Sequence, residues 1–341
     1  NSVSKAIKEQ LESVENNFKI EIIDLFNIIT PTLNRHFTKV YDYLTDKQPK
    51  IYNSIYEIKK YSYKNIFDES MYIIYKKKFY EYVSMKKPKL IISTFPMCSG
   101  LVSRIKKSYN LNIPMITVIT DVVDSWEWIH ESTDMYFVPS NEIKNKLKEK
   151  NIDENRIKVT GIPVKNKFSK KKSNGNKGKF LIMASAMNKL NINEEVLKTL
   201  DEKVTFKITI VTGKNKELFK RLKMNKYKNI EILGFSNEID KLMDESAVLI
   251  TKPGGVTLFE AINKEVPLMI IDSEVGQEKA NVEFVKSNKI GVTLNNQDNI
   301  VEKIVEYKRN YKVIKEIKRN MRSVKKHMEQ TKVREYVSQF I

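Results

Sequence analysis

Short runs of β-branched and aliphatic residues recur along the chain, separated by stretches in which apolar residues return every three or four positions. Buried parallel strands read as continuous apolar runs, and crossover helices show one apolar face, so the pattern predicts an α/β protein. The chain opens on a predicted helix capped by Asn1 or Ser2, with Val3, Ile7, Leu11 and Val14 on one face, followed by a predicted strand over Phe18–Asp24. Strands are then expected at 89–93, 114–120 and 135–139, with helices over 99–109 and 141–150, and the run 157–164 completes the first half. A polar, glycine-bearing stretch at 169–178 breaks the rhythm and reads as a linker between a first domain, 1–168, and a second, 179–310. The second domain carries predicted strands at 179–184, 204–212, 230–235, 248–251 and 268–272, and a helix over 277–287. The tail from Ile300 is basic and helical throughout, and its last part, 311–341, is expected to pack back on the first domain.

The most informative stretch runs from Ala247 to Asn281. A buried strand ends in Lys252-Pro253-Gly254-Gly255, and Thr257–Ile262 reads as the helix that follows. Glycines at that place let the backbone approach a ligand, and the first helical N–H groups lack intrahelical partners. Together with the helix dipole they favour an anion, most often phosphate. Thr257 adds a hydroxyl donor, and Glu260, one turn on, is placed to accept from a ribose. A bare Pro-Gly-Gly more often marks an ordinary loop. Here a second cluster follows one element later, where Gly276, Gln277, Glu278 and Asn281 offer groups suited to neutral hydroxyls. Phosphate, ribose and sugar are the parts of a nucleotide sugar.

Length and charge narrow the partners. With 341 residues the chain exceeds what one core usually holds, and its single cysteine, Cys98, fits a reducing compartment. The net charge of +19 attracts polyphosphates, anionic membranes or nucleic acid, although a lysine-rich composition accounts for part of it. No Arg-rich run or RNA-type aromatic strand appears, so nucleic acid is not expected as a partner. Ten of the 16 tyrosines fall between Tyr41 and Tyr82, interleaved with lysines. Tyr52, Ile55, Tyr56 and Lys59 share one predicted helical face, and Met71, Ile74, Tyr75 and Lys78 share another, with Tyr72 nearby in sequence. Such side chains suit a lipid headgroup region, or equally a helix packed on the sheet with its lysines wet. Asp121 follows a buried strand and is aimed where ligands bind in open α/β sheets, or else caps a turn.

The patterns K-P-G-G-x-T-x-x-E-A, standing at Lys252–Ala261, and G-Q-E-x-x-N, at Gly276–Asn281, resemble the nucleotide-binding half of GT-B glycosyltransferases. More narrowly they resemble the family of processive diacylglycerol glucosyltransferase and monogalactosyldiacylglycerol synthase, of the family 28 type. The S-T-F-P-M loop at 93–97, Thr120-Asp121, Trp128-Ile129-His130 and the V-T-G-I-P run at 159–163 resemble it in the same order. The resemblance implies two Rossmann-like domains facing a cleft and inverting transfer of a hexose from UDP-glucose or UDP-galactose to diacylglycerol. It implies a UDP site at Gly213, Gly234, Phe235, Lys252–Gly255, Thr257, Glu260, Gln277, Glu278 and Asn281. Phe95 and Trp128 would face the acceptor. Tyr52, Tyr56, Tyr72 and Tyr75 would face an anionic membrane on the cytoplasmic side of the cell. No cofactor or metal is expected, since no D-x-D motif is present. In this family a first strand and a glycine-rich loop ending in a histidine precede the opening helix. They are expected upstream of Asn1, which would leave a chain beginning there able to bind nucleotide but poor in turnover, with Asp121 as the base candidate. One alternative is a related transferase acting on a polyprenyl-linked cell-wall precursor. A more distant one is a non-enzymatic basic protein that binds membrane or nucleic acid.

Overall fold

The computed structural model describes residues 2–12, 19–25, 27, 54, 66–169, 178–187, 190, 192–274, 276–295 and 299–341. These fall into two compact units, one of residues 1–165, 275–277 and 327–341, the other of 166–274 and 278–326.

The first unit holds a parallel sheet of four short strands, β1 (Ile91–Ser93), β2 (Met115–Val118), β3 (Met135–Val138) and β4 (Ile157–Val159), in that order. β2 and β3 are buried on both faces, as all-apolar runs in a parallel sheet must be. β1 pairs only with β2 among the described residues. The opening helix, Ser2–Glu12, buries Val3, Ala6, Ile7 and Leu11. Lys19–Asp24 forms no strand, contrary to expectation. Side chains hold it instead: Lys8 Nζ donates to the Ile20 carbonyl, and Glu21 accepts from Tyr82 and Lys86.

The helix Ile66–Lys86 corrects the membrane reading of its tyrosines. Tyr75 is 0% exposed and packs with Phe79 and Val83 against Leu101, Val102, Ile105 and Met115. Spacing of four and eight residues puts all three on the face toward the core, which wins over the amphiphilic tip of one tyrosine. Tyr72 is half-buried, donates to Ser108 Oγ at 2.6 Å and stacks beneath the Arg104 guanidinium. Tyr52 and Tyr56 lie outside the described residues.

The second unit is a six-stranded parallel sheet of β5 (Lys179–Met183), β6 (Ile208–Val211), β7 (Ile230–Leu233), β8 (Ser246–Thr251), β9 (Leu268–Ile271) and β10 (Gly291–Leu294). Its order is β10-β9-β8-β5-β6-β7. The chain winds outward from β5 through β6 to β7, returns, and winds the other way through β8 to β10. That is the doubly wound nucleotide-binding order, with its reversal between β5 and β8.

The domain limits differ from the expected ones. Asn166–Ser169 belongs to the second unit, where Phe168 is buried and Lys167 pairs with Asp240 at 2.9 Å. Residues 170–177 of the expected linker lie outside the described residues. The tail divides: the helix Tyr311–Lys326 stays with the second unit, packing against Ile300–Arg309 and Gly255–Lys264, and only 327–341 joins the first. Ile314, Ile317 and Met321 form the seam that holds the long helix there. In the first unit the Glu329 N–H donates to the Val159 carbonyl at 2.7 Å, and Tyr336 lies against Phe137.

Candidate active site

The second unit brings most of the expected donor-site residues to the carboxyl ends of its strands. Gly213 follows β6, Gly234 and Phe235 follow β7, and Lys252-Pro253-Gly254 follows β8 at the reversal point. The Gly254 N–H closes back on the Lys252 carbonyl at 2.8 Å, turning the chain sharply into the helix Gly255–Lys264. Gly254 caps that helix without a side-chain hydrogen bond. Neighbouring helices are capped differently, by Asn193, Asn215 and Asn299, whose side chains accept from their own first turns. The first intrahelical bond is Leu258 N–H to the Gly254 carbonyl, so the N–H groups of Gly255, Val256 and Thr257 have no intrahelical acceptor. A Cβ on Gly254 would meet nothing nearer than Lys252 Cε at 4.0 Å. The protein's own packing therefore does not demand glycine there, and the space is left for a ligand.

Behind the turn, Asn281 Nδ2 donates to the Pro253 carbonyl at 2.9 Å with its side chain fully buried. Asn281 fixes the turn, which differs from the expected contact with a sugar hydroxyl. Glu278 joins the two ends of the site: one oxygen lies 3.3 Å from Lys252 Nζ, and the other accepts from Ser273 Oγ at 3.0 Å. Ser273, after β9, was not singled out in the sequence, because a serine beside a strand end has no distinctive spacing. Thr257 and Glu260 are half-buried on the first turns of the Gly255 helix. Phe235, 64% exposed, presents a flat apolar face at the end of β7. Gln277 opens the helix Gly276–Ser287 but groups with the first unit. The loop after β5 has no glycine turn and enters a short helix, Ala184–Met187, that buries Ala186 and Met187.

In the first unit, Phe95 is 42% exposed at the carboxyl end of β1, where it caps the helix Pro96–Ser108. Ser99 holds its backbone, with Oγ donating to the Phe95 carbonyl at 3.2 Å and to Ser93 Oγ at 2.8 Å. Asp121 is half-buried after β2, where its carbonyl accepts the Val123 N–H. Trp128 corrects the acceptor reading, since at 3% exposure it is a core residue, and Trp126 is the more accessible of the pair. His130 ties this loop to the Phe95 loop. Its Nε2 lies 2.9 Å from the Glu127 carbonyl, and a Cβ on Gly100 would come within 2.9 Å of its ring. Burial lowers His130 to about 4, against the pull of backbone oxygens of Glu127 and Pro96, so the ring is neutral near pH 7.

Residues 1–164 match the family model of monogalactosyldiacylglycerol (MGDG) synthase, and residues 183–337 that of the glycosyltransferase family 28 C-terminal domain. The processive diacylglycerol β-glucosyltransferase of Bacillus pumilus is 31% identical over 89% of this chain and 83% of its own length. The enzyme of that name from Bacillus subtilis is 29% identical over 84% and 79%. Among solved structures, the calicheamicin glycosyltransferase CalG4 superposes with a TM-score of 0.61 at 12% identity, covering 89% of this chain and 84% of its own. Acinetobacter baumannii MurG does so at 0.56 and 13%, covering 78% and 77%. The structural likenesses establish the GT-B fold. Together with the sequence matches they place the chain in the family of the processive diacylglycerol β-glucosyltransferases and monogalactosyldiacylglycerol synthases.

Proposed function

We propose that the protein moves a hexose, glucose or galactose, from a UDP-sugar to the hydroxyl of diacylglycerol and so makes a glycolipid. The observation that carries this is the helix start at Gly254–Gly255, which has no side-chain cap, at the strand-order reversal of a doubly wound sheet. The N–H groups of Gly255, Val256 and Thr257 receive the diphosphate, Glu260 the ribose, and Gly234 with Phe235 the base. The acceptor oxygen attacks the anomeric carbon as its proton passes to a base, Asp121. The bond from that carbon to the β-phosphate oxygen breaks with inversion, and UDP leaves. Charge grows on the diphosphate as the bond breaks, and preorganised donors with the nearby Lys252 stabilise it. Those groups do the work that a divalent cation does elsewhere, so transfer should survive chelation.

The acceptor is a membrane lipid, and the reading places the protein on the cytoplasmic surface of an anionic bilayer. On the helix Ile66–Lys86 the exposed Ile73 and Met85, beside Lys77 and Lys78, replace Tyr75 as the lipid-facing groups. The test is transfer of label from radiolabelled UDP-glucose or UDP-galactose into the organic phase. Label on diacylglycerol, unchanged by EDTA, is the expected result. Label reaching only a polyprenyl-linked acceptor would overturn it.

A further inference from the structure

We propose that the outer face of the helix Tyr311–Lys326, on the nucleotide-binding unit, is a docking surface for the anionic headgroups of a lipid bilayer. Lys312, Lys315, Arg319 and Lys326 recur at intervals of three, four and seven residues and are all exposed. At 3.6 residues per turn they fall within a sector of about 60°, on a line roughly 21 Å long. That sector lies opposite the seam of Ile314, Ile317 and Met321. The helix is therefore anchored on one side and cationic on the other.

A lysine-rich chain has many cations, and some of those on other helices are paired locally. Lys8 pairs with Glu12, Lys146 with Glu142, and Lys144 and Lys148 both with Glu154. On this helix Arg322 pairs with Glu265 at 2.9 Å, whereas Lys312, Lys315, Arg319 and Lys326 have no ion pair among the described residues. Glu316 is the helix's only acidic residue. Four like charges in line repel one another and attract a surface of opposite sign. A straight stripe fits a plane of headgroups. The choice of membrane over nucleic acid rests on the lipid-acceptor reading above.

The experiment uses the full chain with all four residues replaced, Lys312→Gln, Lys315→Gln, Arg319→Gln and Lys326→Gln. Glutamine keeps the helix propensity and removes like-charge repulsion, so the melting temperature should not fall and UDP affinity should not change. Sedimentation with vesicles containing 30% phosphatidylserine should weaken by roughly 600-fold at low salt, since each of the four basic residues near an anionic surface is worth about a factor of five. A control with the same charge change, Lys198→Gln, Lys203→Gln, Lys220→Gln and Lys223→Gln, should weaken it by less than about threefold, because those charges are not aligned on one face. Equal loss in the two variants would overturn the stripe and leave only net charge. Unchanged binding in the first variant would overturn it as well, as would wild-type binding to duplex DNA but not to vesicles. Transfer to diacylglycerol in detergent reads the lipid-acceptor proposal separately, so either idea can fail without the other.

Discussion

The two units make their sites by different physical means. In the nucleotide-binding unit the proposed working groups are main-chain N–H groups, left without an intrahelical acceptor where a glycine turn replaces a side-chain cap at the place where the sheet reverses its winding. In the first unit the candidate groups are side chains, and their roles depend on packing from elsewhere in the fold. His130 is set by Gly100 and by the Glu127 carbonyl, Tyr75 by the helix Pro96–Ser108. A backbone device is written in consecutive residues, whereas a side-chain device is written across distant ones.

The largest effect expected from this contrast lies in the first unit. Tyr75→Ser removes a ring from the core and should cost about 3–5 kcal/mol, read as a lower urea midpoint. Ile73→Ser on the same helix is a surface change and should stay within about 0.5 kcal/mol, while weakening vesicle binding. Equal destabilisation by the two would mean that the helix does not pack as described.

Gly254→Val makes the opposite separation in the second unit. The added Cβ meets nothing nearer than Lys252 Cε at 4.0 Å, at an allowed backbone conformation, so stability should fall by only about 1 kcal/mol. The same side chain occupies the place of the diphosphate, and UDP affinity should fall about 100-fold, or about 2.7 kcal/mol. Unaltered UDP affinity by calorimetry would remove the diphosphate from this turn.

Acid should strike the first unit through His130. Its folded pKa of about 4 lies below the unfolded value of 6.5, so the unfolded chain takes up the proton first. The stability due to the neutral ring is complete above pH 6.5 and is lost as pH falls toward 4. Between pH 7.5 and 5 the loss should be about 2 kcal/mol. The His130→Gln variant should lack that component, and an identical pH profile in both proteins would show that the ring is not held neutral.

These differences explain what could be read from the sequence. The parallel strands at 115–118, 208–211 and 246–251 were legible because burial on both faces leaves unbroken apolar runs. The Lys252–Gly255 turn was legible because its residue types are dictated locally. Asn281 was recognised as part of the site but not as the residue that holds the Pro253 carbonyl, since its partner lies 28 positions away. Tyr75 was read by its amphiphilic chemistry and Trp128 by the family resemblance, and neither says which way a helix or loop turns. Lys19–Asp24 failed as a strand because its apolar residues meet no neighbouring ladder among the described residues.

A smaller effect sharpens the ligand assignment within the donor site. Glu260→Ala should weaken UDP by about tenfold and leave inorganic diphosphate nearly unchanged, because only the nucleoside has a ribose to lose. Equal losses for the two ligands would end the ribose assignment.

The central claim is that the diphosphate of the donor sits on the first turn of the Gly255–Lys264 helix. Amide hydrogen exchange of the full chain, with and without saturating UDP, reads those N–H groups directly. UDP should slow exchange most strongly at Gly255, Val256 and Thr257, with weaker protection after β7 around Gly234 and Phe235. Protection elsewhere in the chain with none across 254–258 would contradict the claim.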